Sequence, residues 1–217
     1  MKKPTASALS KDPLVKFYGD LQTFAADKRV GFLSARNSRE TANRKYMQAV
    51  LAMNKGKKTM YPDANFTMRL TYGTVQDYTP RDAVQYDWQT YVTGVMEKYK
   101  PNDQEFDVPQ ELRTAIEKKD FGRYAVDGKM PVCFLSTNDI TGGNSGSPIL
   151  NANGELIGLA FDGNYEGTAE QYFFEDAMNR TINVRSNYVL FVIDKVYGAT
   201  NIVKELNVVD APASSMK

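Results

Sequence analysis

Between Thr141 and Phe161 the chain reads as two short apolar strands closed on each other, and no other segment constrains the fold as much. Pro148-Ile149-Leu150 is followed by Asn151-Ala152-Asn153-Gly154 and then by the apolar run Leu156 to Phe161. A glycine-containing turn between two such runs predicts a β-hairpin. Pro148 is tolerable at the start of the first strand, where the missing N–H is not needed. Ahead of the hairpin stands Thr141-Gly142-Gly143-Asn144-Ser145-Gly146-Ser147. Glycines on both sides of Ser145 let the backbone turn tightly and allow another molecule to approach it closely.

Other strands are expected around this hairpin. Phe66 to Tyr72 alternates with period two and stops at Gly73, with Val75 to Tyr78 as its hairpin partner. Val132 to Leu135 reads as a strand, and the apolar stretch Tyr188 to Ile193 as the last one. Gln89 to Tyr99 and Pro109 to Lys118 read as short helices, the second with Pro109 in its first turn. Val203 to Leu206 opens a closing helix, and the tail 211–215 reads as disordered. Several short strands separated by turn signals point to a small β-barrel.

The first 56 residues follow a different pattern. Leu14, Phe17, Leu21 and Phe24 recur at helical spacing, and Ser38 to Met53 forms a second periodic run that ends near Lys55-Gly56. Two helices this short pack poorly alone and read as the end of a larger helical unit. The lysine-rich stretch 55–58 is a solvated connection.

Composition narrows the function classes. With 42% hydrophobic and 12% aromatic residues in 217, the chain has the material for a core. Its 27 basic and 26 acidic residues leave a net charge of +1 and no basic stripe, which argues against nucleic acid or an anionic membrane as partner. One cysteine, Cys133, excludes an internal disulfide, and its apolar neighbours mark it as a buried structural thiol. No apolar run follows Met1-Lys2-Lys3, so no signal peptide is expected; the chain is either cytoplasmic or begins within a longer one. The count of histidines is zero. A Ser-His-Asp mechanism needs an imidazole as general base, so this chain cannot run one alone.

The run Thr141 to Pro148 nevertheless names a reaction. Acyl transfer by serine needs an exposed hydroxyl on a tight turn and N–H groups aimed at the developing oxyanion. Ser145 is the candidate nucleophile, and Gly143 and Ser145 are the candidate oxyanion donors. The hairpin carries Asp162 and Gly163 back beside them. A glycine-rich turn with a merely exposed serine is the plain alternative, and the hairpin at this spacing weighs against it. Trp88 and the cluster 172–174 read as packing rather than ligand recognition. Asp139, followed by Ile-Thr-Gly-Gly, reads as a turn or cap residue.

This arrangement resembles the trypsin-like serine peptidases, in which Gly-x-Ser-Gly-x-Pro precedes a hairpin. Further stretches, 60–66, Pro80-Arg81-Asp82-Ala83, Glu105-Phe106-Asp107-Val108-Pro109, Gly158 to Asn164 and Tyr188 to Lys195, are similar to the C-terminal part of the bacterial serine dipeptidyl-peptidases seven and eleven. The resemblance implies a mainly β fold. On it, residues 57–217 are the second barrel of a chymotrypsin-like double β-barrel, and residues 1–56 are the last helices of an inserted helical domain. It implies release of N-terminal dipeptides from peptide substrates, no metal or cofactor, a periplasmic or cell-surface location, and homodimers. The catalytic histidine and aspartate would come from outside this chain. Asp162 matches an acidic residue that holds the substrate's free amino group. Gly163 stands where acid-specific relatives carry an arginine, which implies a hydrophobic preference at the second position.

Two rivals stand beside this reading. A glutamyl-endopeptidase-like trypsin relative shares the nucleophile run but lacks the helical preamble and the segment 61–63. A catalytically inactive fragment serving as a binding module fits the missing histidine. A Ser-Lys dyad is a third, remote option, since no lysine lies at a motif-like spacing from Ser145.

Overall fold

The computed structural model describes residues 5–57, 67–168 and 174–209. It divides into two compact units, Met1–Thr67 and Met68–Lys217. The expected boundary at 56/57 falls beside residues 58–66, outside the described residues, as do the segment 61–63, Tyr172, Phe173 and the tail.

The first unit is helical. Helix α1 (Ala6–Leu9) is capped by Thr5, whose hydroxyl accepts from the Ala8 amide at 3.2 Å. Helix α2 runs unbroken from Pro13 to Asn54. Asp12 caps it, accepting from Leu14 N at 2.8 Å and Val15 N at 3.3 Å, and Pro13 occupies the first turn. The two expected helices are therefore one, about 63 Å long at 1.5 Å per residue. No proline lies between Phe24 and Ser38, and Gly31 alone costs only about 1 kcal/mol in a helix interior. The Arg36–Glu40 pair at 2.8 Å supports the stretch where a break was expected.

The second unit centres on a five-stranded antiparallel sheet in the order β3-β4-β7-β6-β5. Its strands are β3 (Gln89–Tyr91), β4 (Pro131–Ser136), β5 (Pro148–Leu150), β6 (Leu156–Gly163) and β7 (Thr181–Arg185). The hairpin β1 (Tyr78–Arg81) and β2 (Val84–Tyr86) precedes it as a separate two-stranded pair. Among the described residues the larger sheet ends at β3 and β5 and does not close into a barrel. Helix accounts for 44% and strand for 18% of the described residues, so the expected mainly β class is not clearly supported. Much of that difference is the single long helix α2.

The expected hairpin β5–β6 forms, with Pro148 opposite Leu159 and Ile149 opposite Gly158. The stretch 89–99 begins as strand β3 and only then becomes helix α3 (Val92–Lys98). Helix α4 (Gln110–Glu117) starts directly after Pro109, and α6 (Thr200–Glu205) closes the described chain. Three strand expectations fail, the first being Val75 to Tyr78 as a hairpin partner: Val75 bridges only to Ser136, and Tyr78 opens β1, which pairs with β2. Residues 67–74 form no strand, and the polarity of their alternation is inverted: Met68, Leu70 and Tyr72 are exposed while Arg69 and Thr71 are partly covered. A strand needs a ladder partner, and no β-ladder among the described residues includes 67–74. Tyr188 to Ile193 is helical, lying in α5 (Ser186–Phe191) and the π-helical turn Val192–Val196 that continues it.

The apolar core shows why. Val92, Val108, Leu112, Phe121, Tyr124, Met130 and Phe191 are buried together, with Tyr188, Val192 and Val196 packed against them. The spacing 188, 191, 192, 196 is helical, and it places Phe191 edge-on to Phe121 with ring centres 5.8 Å apart. The strand expected there is instead Thr181–Arg185, which alternates buried and half-buried positions.

Candidate active site

The segment from Thr141 to Ser147 forms two consecutive turns between β4 and β5. Asn144 N donates to Thr141 O at 3.0 Å, and Ser147 N to Asn144 O at 2.8 Å. The Asn144 side-chain oxygen accepts from Thr141 N at 3.0 Å, closing the first turn from the inside. Gly143 has φ +106° and Gly146 φ +82°, backbone that a side chain would strain. Gly143 and Gly146 are therefore conformational requirements, as the glycines on either side of Ser145 indicated.

Ser145 is exposed at the head of the second turn. The amides of Gly143 and Ser145 donate to no group among the described residues. An exposed serine and two amides without an acceptor among the described residues thus lie within three consecutive positions of this loop. The loop is fastened to the hairpin by Gly146 N to Ala160 O at 2.7 Å and Ala160 N to Ser147 O at 3.0 Å. Ala160 lies on β6, two residues before Asp162, so the fold brings the candidate nucleophile beside the strand that carries Asp162 and Gly163.

A register shift separates Ala160 from Asp162, which pairs with Ile182, while Gly163 pairs with Thr181. The Asp162 carboxylate is exposed and accepts from Gly163 N at 2.8 Å. Asn164, to which the sequence reading gave no role, is the buried anchor of this strand end. Its side-chain oxygen accepts from Arg180 N at 2.8 Å, and its amide donates to Met178 O at 2.8 Å and to Glu166 Oε2 at 3.2 Å. The Tyr78 hydroxyl donates to the same Glu166 oxygen at 2.7 Å, and burial together with that carboxylate pushes the Tyr78 pKa up. Arg180 is buried too, with its guanidinium donating to the carbonyls of Asp77, Asp176 and Asn179; burial lowers its pKa. No motif marks these residues, because their partners lie up to 103 positions away.

Cys133 is half-buried on β4, and burial pushes its thiol up in pKa. Among the described residues no cluster of Asp, Glu or Cys is arranged to hold a metal ion. No described helix is long and apolar enough to cross a membrane.

The peptidase S46 family model matches residues 1–208. The chain belongs to the peptidase S46 family. Within it, the chain is 44% identical over 211 residues to dipeptidyl-peptidase 7 of Phocaeicola vulgatus, covering 97% of this chain and 29% of that protein. It is 53% identical over 167 residues to an Asp/Glu-specific dipeptidyl-peptidase of Capnocytophaga gingivalis, covering 76% of this chain and 24% of that one. The crystal structure of Porphyromonas endodontalis DPP11 in complex with substrate superposes with a TM-score of 0.81 at 41% identity, over 94% of this chain and 30% of that one. The chain thus spans less than a third of the length of these S46 relatives.

Proposed function

We propose that this chain is the nucleophile-bearing part of a serine dipeptidyl-peptidase. The observation that carries the reading is Ser145, exposed on a turn shaped by Gly143 and Gly146, beside the unengaged amides of Gly143 and Ser145. Names of S46 relatives supply the reaction class. Ser145 Oγ attacks the carbonyl after the second residue of the substrate, passing its proton to a base. The sequence has no histidine, so an imidazole base and its aspartate would come from outside residues 1–217. The Gly143 and Ser145 amides hold the oxyanion, the dipeptidyl ester forms as the C-terminal peptide leaves, and water then releases the dipeptide. Asp162 accepts a charge-assisted hydrogen bond from the substrate's α-ammonium, which would favour cleavage at free N-termini. The site needs no metal.

Gly163 supports a hydrophobic preference at the second position, since a backbone-only residue offers no cation to a substrate carboxylate. The competing reading, acidic preference, is favoured by the Asp/Glu-specific relatives, one of them 53% identical. A chimera decides between them: residues 1–217 replace the matching part of the Phocaeicola vulgatus enzyme, and dipeptidyl-coumarin substrates ending in Phe or Asp are compared. We expect faster release with Phe, reversal by Gly163→Arg, and no release or fluorophosphonate labelling in Ser145→Ala. Faster release with Asp in the unsubstituted chimera would overturn the hydrophobic preference, and unchanged turnover in Ser145→Ala would overturn the nucleophile. Residues 1–217 alone are expected to release no dipeptide, for want of the imidazole.

A further inference from the structure

Arg69 lies in a segment with no regular structure, 75 residues before the loop it touches. Its Nη2 donates to the side-chain oxygen of Asn144 at 3.3 Å. That oxygen is the one that accepts from Thr141 N at 3.0 Å and closes the first turn of the nucleophile loop. The chain is fastened to the end of β4 a few residues after Arg69. Thr74 N donates to Thr137 Oγ1 at 2.9 Å and Thr137 N to Thr74 O at 2.9 Å, and Val75 bridges to Ser136. Gly73 packs so closely that an added Cβ would lie 2.6 Å from Thr137 Oγ1. Met68 and Leu70, on either side of Arg69, are 100% and 86% exposed, while Arg69 turns inward.

We propose that Arg69 is a positioning residue for the reaction, holding the nucleophile loop in shape through Asn144. This rests on the reading of Ser145 as nucleophile. The logic is geometric. Gly143 sits inside the turn that Thr141 and Asn144 close, with φ +106°, so the direction of its N–H depends on that closure. Ser145 follows Asn144 directly and takes its direction from the same residue. A charged donor on a shared acceptor makes a stronger hydrogen bond than a neutral one, and here it pins the side chain that shapes the turn. Arg69 thereby orders both oxyanion amides without touching substrate, and preorganisation of such donors is what lowers the barrier.

The first test needs no turnover. Hydrogen–deuterium exchange of chain 1–217 is followed in residues 141–147, with 15N amide shifts of Gly143 and Ser145 as the local signature. In Arg69→Met we expect exchange of this loop to rise by about tenfold or more while Tm and exchange in β7 stay unchanged. Arg69→Lys, which keeps one charged donor, should recover part of the protection. Asn144→Ala should reproduce the effect, and the double variant should go no further than either single one. Unchanged loop exchange in Arg69→Met, additive effects in the double variant, or loosening of the whole sheet would each overturn the proposal. In the chimera, Arg69→Met should lower kcat and leave KM in place, because the oxyanion amides act in the transition state; a raised KM at unchanged kcat would equally overturn it. A failed peptidase reading shows separately, as Ser145-independent turnover or none in the unsubstituted chimera.

Discussion

A methyl group added at residue 158 would lie 2.6 Å from the Val184 carbonyl oxygen and 2.7 Å from the Phe134 ring. Neither can retreat easily: Val184 is paired in β7, and Phe134 is buried on β4. Gly158→Ala should therefore destabilise by about 1–3 kcal/mol, the usual cost of overpacking a close-packed site. A lowered urea midpoint at unchanged m-value would register it. Gly142 is the control, since open space surrounds its absent Cβ and its φ is not in the left-handed range. Gly142→Ala should stay within about 0.5 kcal/mol. An equal loss at both positions would show that packing against Phe134 is not what Gly158 serves. The contrast also marks what sequence can and cannot carry at this scale. Gly143 and Gly146 were recognisable as turn glycines because the residues that require them are their own neighbours. Gly158 was not, because its constraint comes from side chains and backbone 24 and 26 positions away.

At the scale of elements, the end of β6 depends on Asn164 more than on its own ladder. Asn164 is 6% exposed and satisfies Arg180 N, Met178 O and Glu166 at once, joining β6 to the chain that enters β7 and, through Glu166, to Tyr78 on β1. Asn164→Ala leaves the buried Arg180 N–H and the half-buried Met178 carbonyl without partners and should cost about 2–4 kcal/mol. Denaturation measures that loss, and a change within 0.5 kcal/mol would mean that water replaces the side chain freely. Elements whose pattern and partners were local could be read from sequence: the β5–β6 hairpin from its Asn-Gly turn, and α4 from Pro109. The apolar run 188–193 could not, since a short continuous run fits a buried strand or a buried helix equally well. Phe121 and the rest of the core decided for the helix. Thr181–Arg185 was missed for the opposite reason, because its buried positions are the polar Thr181, Asn183 and Arg185. The segment 67–72 kept its alternation but turned its apolar side outward, which no period can foretell.

For the second unit as a whole, one buried pair links chemistry to the stability of the packed helices. Tyr124 is 3% exposed in the apolar core, and its hydroxyl donates to Asp194 Oδ2 at 2.9 Å, tying the turn after α4 to the π-helical turn after α5. Burial first, and the Asp194 carboxylate second, push the Tyr124 pKa up to about 12. An unfolded tyrosine titrates near about 10. Between these values the unfolded chain has released the proton that the folded chain still holds, so stability falls as pH rises through this window and is fully present below it. Below about pH 10 the Tyr124 proton adds no pH dependence, because both states keep it. Tyr124→Phe removes this titration while keeping the ring in the core, at the cost of leaving Asp194 without its donor. The variant should be less stable at neutral pH yet lose less on going from about pH 9 to about pH 11. Urea midpoints of both proteins at those two pH values make the comparison. Parallel losses in the two proteins would place the alkaline sensitivity elsewhere, in the lysines or the other tyrosines, and would remove Tyr124 from its role as the group that couples this core to pH.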